Sequence, residues 1–201
     1  VIFGGKLMGY WASTCLKIFL STKISIKGKE NIIKGRKFFI AASHQSMFET
    51  FFLQTIFNSP VFILKKELLF IPIFGWYLKK IGSISIKRDQ ISKDNLSFLN
   101  NISKILHDSK RPLIIFPQAT RVLPNERPPF KKGASRIYEE LNICCQPVAI
   151  NSGIVWPKKG QKKTNKEIII SILKPIEPGL KKEEFIKKLE KDIYAELDFI
   201  S

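Results

Sequence analysis

The sequence predicts an α/β domain: a mostly parallel or mixed sheet flanked by helices. Three observations carry that prediction. Short apolar runs of strand length recur along the chain, and segments of helical periodicity stand between them. Polar and charged clusters follow directly after the apolar runs, where open α/β sheets place their ligands.

Taken in order, residues 1–20 read as a helix and residues 23–27 alternate polar and apolar like a short strand. A polar loop covers 28–37, a strand 37–42 and a helix 46–57, which Asn58-Ser59-Pro60 breaks. Residues 61–64 form a buried strand. Residues 65–80 read as helical, interrupted at Pro72, and 83–87 as a strand. A helix over 92–107 presents Leu96, Leu99, Ile102, Ile105 and Leu106. Residues 112–116 form another strand, 117–129 a Pro-rich loop and 133–141 a helix. Strands follow at 146–150 and 167–173, the basic loop 156–165 lying between them. A last amphipathic helix carries Phe185, Leu189, Ile193 and Leu197 at four-residue spacing. No repeat or low-complexity block divides the chain.

With 201 residues and 44% hydrophobic content, the chain can bury one sizeable core and is not a disordered tail. The formal net charge of +17 favours anionic partners: nucleic acid, acidic lipid or phosphorylated substrates. No RNP-like aromatic motif, zinc knuckle or basic helix-turn-helix pattern supports nucleic acid. Cys15, Cys144 and Cys145 match no metal-ligand spacing and no disulfide framework, which points to a reducing compartment. No apolar run reaches the ~18 residues of a spanning helix. Residues 1–20 are mostly apolar, with Tyr10 and Trp11 suited to a membrane interface and no cleavage-site pattern. Either they lie in an interface or they pack on their own domain. The chain begins with valine, consistent with a fragment that has lost an upstream anchoring segment.

His44 and Glu49 are the most informative pair. His44 follows the apolar run 38–42, and Glu49 stands five positions later, at the start of a helix. An imidazole at a strand-to-helix junction can take a proton from a hydroxyl near neutral pH. A carboxylate on its other nitrogen would fix the tautomer and stabilise the imidazolium. The same segment also reads as an S-x-x-E capping box, in which Glu49 only reaches back to Ser46. Lys65, Arg88 and Arg121 each follow a predicted strand. Cations converging at strand ends make a phosphate site, or are simply solvated charges. No Gly-rich phosphate loop, dinucleotide fingerprint or nucleophile elbow occurs, so neither nucleotide chemistry nor a covalent acyl-enzyme is indicated.

Four clusters, the second of them running from Lys65 to Arg88 and holding two motif elements, together resemble the motifs of the glycerolipid acyltransferases, and most closely those of bacterial 1-acyl-sn-glycerol-3-phosphate acyltransferases. The resemblance runs from about residue 24 to residue 179. His44 with Glu49 is similar to the family's H-x4-D, and Lys65-Lys66-Glu67-Leu68 to its K-x-E-L. Gly82 to Arg88 resembles G-x-I-x-x-x-R. Phe116-Pro117-Gln118-Ala119-Thr120-Arg121 resembles F-P-E-G-T-R, and residues 146–153 resemble V-P-V-A-x-N-S-G.

The resemblance implies a single-domain acyltransferase sandwich over 23–201, with a membrane-associating amphipathic or interfacial helix over 1–22. It implies His44 as general base on the sn-2 hydroxyl of lysophosphatidate, Glu49 as its orienting partner, and phosphatidate as product of direct attack on an acyl thioester. Lys65, Arg88 and Arg121 would hold the acceptor phosphate, and Gln118 and Thr120 would shape the acceptor pocket. No metal or cofactor is implied; acyl-CoA or acyl carrier protein would be the donor. The expected location is the cytoplasmic face of the cell membrane, against anionic lipid, at about 1 kcal/mol per nearby Lys or Arg. Two alternatives stay open: another acceptor, such as glycerol 3-phosphate or a lyso-aminolipid, and a non-enzymatic basic binding module. The chain departs from the family pattern at Glu49, at Gln118 and at Ala119. Ala119 is expected to require a loop conformation open to L-residues.

Overall fold

The computed structural model describes residues 2–57, 59–72, 74–86, 102–104 and 111–201. Among these, the strands β1 (Lys23–Lys27), β2 (Phe38–Ala42), β3 (Val61–Lys65), β4 (Ile84–Ile86), β5 (Leu113–Ile115), β6 (Cys144–Ile150) and β7 (Glu167–Ile172) form one sheet. Its order is β1-β7-β6-β2-β5-β3-β4. All neighbours are parallel except β6 and β7. The mixed, mostly parallel sheet and its flanking helices agree with the expected α/β class. Arg88, His107 and most of the expected helix over 92–107 lie outside the described residues.

The apolar runs are continuous because the central strands are covered on both faces. Successive side chains alternate between two cores. Phe39, Ala41, Leu113 and Ile115 face one layer, built by helices α4 (Gly133–Leu141) and α5 (Lys182–Ile200). Ile40, Ala42, Ile114 and Val148 face the other, built by α1 (Ile2–Leu20), α2 (Phe48–Ile56) and α3 (Phe74–Lys80). Helix α5 lays Phe185, Leu189, Ile193 and Leu197 fully into the first layer. Each such burial contributes roughly 1.5–3 kcal/mol before entropy is counted. In its first turn, Glu184 accepts from the Lys181 N–H at 3.3 Å, and Glu183 adds charge that favours a helix start.

Two elements differ from expectation. Lys65 belongs to β3, not to a helix, because the β3–β4 ladder extends to the Lys65–Ile86 register. The helical stretch expected after it splits into a 3₁₀ turn, Lys66–Phe70, and helix α3, on either side of the N–H-less Pro72. β6 begins at Cys144 rather than Gln146. Gln146 is tolerated in a fully buried strand because both ends of its amide are paired: Oε1 accepts from Ile33 N–H and Nε2 donates to the Leu173 carbonyl.

Helix α1 buries Leu16 but leaves most of its large apolar side chains outside the core. Gly5, Gly9, Ser13 and Leu16 are buried, and the three small residues among them let the helix approach α2 closely. A Cβ on Gly9 would lie 2.5 Å from the Phe51 carbonyl oxygen. Phe3, Leu7, Tyr10, Trp11, Ile18 and Phe19 stay exposed, Trp11 at 70% and Phe19 at 77%. The helix therefore packs on its own domain through small residues and still presents an apolar outer face. Among the described residues no helix is long and apolar enough to cross a membrane.

Candidate active site

The carboxyl ends of β2, β5 and β6 lie side by side, because β2 pairs in parallel with both neighbours. The chain from β2 crosses to one side of the sheet, and the chain from β5 returns to the other. That makes the end of β2 a topological switch point. His44 stands there, two residues past the strand.

Every strand end around His44 ties it down. Ser43 N–H donates to the Val148 carbonyl at 3.0 Å, and its hydroxyl both donates to the Ile150 carbonyl and accepts from the Ile150 N–H. From the β5 side, Gln118 Oε1 accepts from the His44 N–H at 2.6 Å, and Val122 N–H donates to the His44 carbonyl at 2.9 Å. The imidazole stacks on Phe116, with ring centroids 4.1 Å apart and planes 18° from parallel. Its Nδ1 lies 3.3 Å from Glu49 Oε2. The His44 side chain keeps 16% of its surface in solvent, and that of Glu49 keeps none.

Glu49 is a fully buried carboxylate, and among the described residues no cationic side chain is bonded to it besides the imidazole when that is protonated. Its charge is carried by donors: Gln45 N–H at 3.1 Å, Ser46 N–H at 2.9 Å and the Ser152 hydroxyl. Ser46 Oγ in turn accepts from Phe48 N–H at 3.1 Å. No reciprocal capping box forms, since Ser46 Oγ accepts from the Phe48 N–H and not from that of Glu49; one carboxylate nevertheless serves the loop backbone, mainly through Oε1, and the ring, through Oε2. The longer Glu side chain is accommodated because α2 starts at Phe48, with Met47 as its N-cap. Placed this way, the pair can hold Nδ1 protonated and leave Nε2 free to accept a proton.

The loop after β5 turns sharply. Ala119 N–H donates to the Phe116 carbonyl at 2.8 Å, with Pro117 at the position where its fixed φ suits a turn. Ala119 has a φ of +61°, in the left-handed region, contrary to the expected conformation open to L-residues. The tight turn imposes a backbone shape that glycine would take without strain. Gln118 is buried, and its oxygen is spent on the His44 backbone; it braces the histidine loop from behind. Thr120 and Arg121 instead line an open depression with Glu126, Arg127 and Lys158. Lys65 is the last residue of β3, at the same edge of the sheet. The structure thus brings His44, Glu49, Gln118, Thr120 and Arg121 into one region, with Lys65 at its margin. Lys158 and Ser152 were given no role by sequence; Ser152 was at least visible inside the fourth cluster. Among the described residues no group of three or more His, Cys, Asp and Glu side chains could hold a metal ion.

The fold and this edge of the sheet define a class that comparison makes explicit. A family model described as Acyltransferase matches residues 23–151, and the chain belongs to that family. Its curated relatives include the 1-acyl-sn-glycerol-3-phosphate acyltransferase of Pseudomonas aeruginosa, 32% identical over 147 residues, covering 73% of this chain and 56% of that protein. The enzyme of the same name from Helicobacter pylori is 30% identical over 185 residues, covering 90% of this chain and 77% of that protein. The chain therefore spans only about half the length of the first relative. The crystal structure of the 1-acyl-sn-glycerophosphate acyltransferase PlsC from Thermotoga maritima superposes with a TM-score of 0.80 at 25% identity. The match covers 98% of this chain and 78% of that one.

Proposed function

We propose that this chain transfers an acyl group from an acyl thioester to the sn-2 hydroxyl of 1-acyl-sn-glycerol 3-phosphate, forming phosphatidate. One observation carries the reading: the largely buried but still solvent-reachable imidazole of His44 faces the sealed carboxylate of Glu49 across 3.3 Å. The names of the relatives supply the substrate class. His44 Nε2 takes the hydroxyl proton as the oxygen attacks the thioester carbonyl. The new C–O bond forms, the C–S bond breaks, and the departing thiolate recovers the proton from the imidazolium. Glu49 stabilises that imidazolium, and no acyl-enzyme intermediate is needed. The donor thiol belongs to coenzyme A or an acyl carrier protein.

Arg121 binds the acceptor phosphate, where a guanidinium can pair two oxygens at once. Lys65 and Arg88 are proposed to assist, and Thr120 to line the acceptor pocket. Gln118 contributes by bracing His44. Residues 1–22 associate with an anionic bilayer at the cytoplasmic face of the cell membrane. The exposed Trp11 and Phe19 of α1 offer apolar side chains that would enter the interface. Residues 23–201 form the acyltransferase domain.

The test is purified protein with vesicle-bound lysophosphatidate and a thioester donor, the product being identified by mass. Phosphatidate formation supports the reading. Acylation of only a different acceptor, or no transfer while the fold is intact, would sink it.

A further inference from the structure

We propose that Lys158 is a phosphate ligand that works with Arg121 and makes the acceptor site selective for a phosphomonoester over an uncharged glycerolipid. The assignment rests on the reading above that the acceptor carries a phosphate.

Lys158 comes from the loop after β6, outside every motif that marks the chain, yet it lines the same depression as Thr120 and Arg121. The other charged groups of that depression are already committed. Arg127 donates to Asp198 at 2.6 Å through Nη2, donates to the Pro124 and Glu126 carbonyls through Nη1, and lies over the Tyr194 ring. Glu126 turns its carboxylate back onto the Leu123 N–H at 2.8 Å. Among the described residues, no carboxylate lies within ion-pair distance of Arg121 or Lys158. Two uncommitted cations thus face one open space.

The backbone carrying Lys158 is anchored to the reacting centre. Ser152, whose hydroxyl holds Glu49, opens a 3₁₀ turn. Val155 and Trp156 both donate to the Ser152 carbonyl, at 3.1 and 2.9 Å. The Trp156 side chain packs, partly buried, against the core layer that α2 shares, and Lys163 N–H closes the loop onto the Val155 carbonyl at 2.9 Å. Pro157 then limits the chain's freedom just before Lys158. The ammonium is exposed, but its attachment point is fixed relative to Glu49.

The charge balance gives this placement a purpose. A phosphomonoester carries about −1.5 to −2 at neutral pH. Arg121 alone would leave roughly one charge unmatched. A second cation narrows that gap, as a point charge beside the planar guanidinium, and offsets the Glu126 carboxylate that lines the same depression. An acceptor without phosphate would leave two cations in that space with nothing to pair. The neighbouring lysines differ: Lys162 covers the Trp156 ring at 4.9 Å, and Lys159 does not line the depression.

The experiment compares Lys158→Met, Lys158→Arg and the charge-matched control Lys159→Met, using lysophosphatidate and 1-acylglycerol as acceptors in neutral vesicles. Lys158→Met is expected to raise KM for lysophosphatidate on the order of tenfold, with kcat changing far less. Lys158→Arg should recover most of that loss. The KM for 1-acylglycerol should stay level or fall. Equal effects of Lys158→Met and Lys159→Met would mean general surface charge, and would overturn the proposal, as would an unchanged KM. A second measurement separates this from the activity itself: binding of glycerol 3-phosphate followed by nuclear magnetic resonance titration. If wild type binds glycerol 3-phosphate but transfers no acyl group, the acyl-transfer reading fails. Lys158 is then judged by whether Lys158→Met weakens that binding. If wild type binds no glycerol 3-phosphate and turns over no lysophosphatidate, both readings fall.

Discussion

The hydroxyl of Ser152 donates to the carboxylate of Glu49, joining the loop after β6 to the helix that follows β2. The bond spans 103 residues of chain and closes around an acid with no exposed surface. Ser152→Ala is expected to destabilise the fold by roughly 1–3 kcal/mol, because it strips one donor from a buried charge. Its kcat should fall by less than that of a variant lacking the imidazole. Urea unfolding and steady-state kinetics on the same sample read both effects; a variant as stable as wild type would contradict the hydrogen bond's role.

His44→Ala should lower kcat by about 10²–10⁴, the range of a positioned general base, while the thermal midpoint changes little. Glu49→Gln should move both quantities, since one carboxylate serves the backbone at Ser46 and the ring of His44. Strong destabilisation with undiminished turnover in Glu49→Gln would leave only its role on the loop backbone standing.

Ala119→Gly is expected to stabilise the protein. A left-handed alanine costs about 1–2 kcal/mol, and the greater unfolded-state freedom of glycine returns roughly 0.5–1 of that. A net gain of up to about 1.5 kcal/mol should appear as a higher urea midpoint at unchanged m-value. A lower midpoint would mean that the Ala119 methyl group makes packing contacts worth more than the strain.

The Arg36 fork, gripping Glu177 at 2.6 and 2.5 Å, and then the Cys144 thiol, hold the Glu177 carboxyl down at about 2 from an ordinary value of 4.5. A depressed carboxyl pKa stabilises the fold fully above 4.5, and that contribution is lost as pH falls toward 2. The group is largely exposed, so salt weakens the effect. Glu177→Gln should flatten the acid limb of stability between pH 4.5 and 2 relative to wild type. Unfolding free energies measured across that range, at low and high salt, would show it; parallel curves would refute it. On the other side of the pair, burial first and then Glu177 push the Cys144 thiol up to about 11, which keeps it an unreactive neutral donor.

Much of the architecture was readable from local pattern. Apolar runs of strand length mark β2, β3, β5 and β7, since a strand buried on both faces leaves a continuous hydrophobic signature. The four-residue spacing from Phe185 to Leu197 marks the buried face of α5. His44 and Glu49 are close in sequence, so their pairing could be proposed from spacing alone. Lys65 misled, because a charged residue at the end of an apolar run carries no local mark of whether the ladder continues through it.

What the chain order could not contain is anything set by contacts between distant loops. How Glu49 divides itself between the loop backbone and the ring depends also on Ser152, from the turn after β6. Gln118 became a brace because the turn at Ala119 aims it at the His44 backbone. Lys158 looks like any other lysine in a lysine-rich loop, and only the folding of that loop onto Ser152 brings it beside Arg121. Residue type and spacing determined the strands, the helices and the paired imidazole and carboxylate. The sheet's strand order decided which remote groups surround them, because parallel pairing of β2 with both β5 and β6 collects three loop starts at one edge.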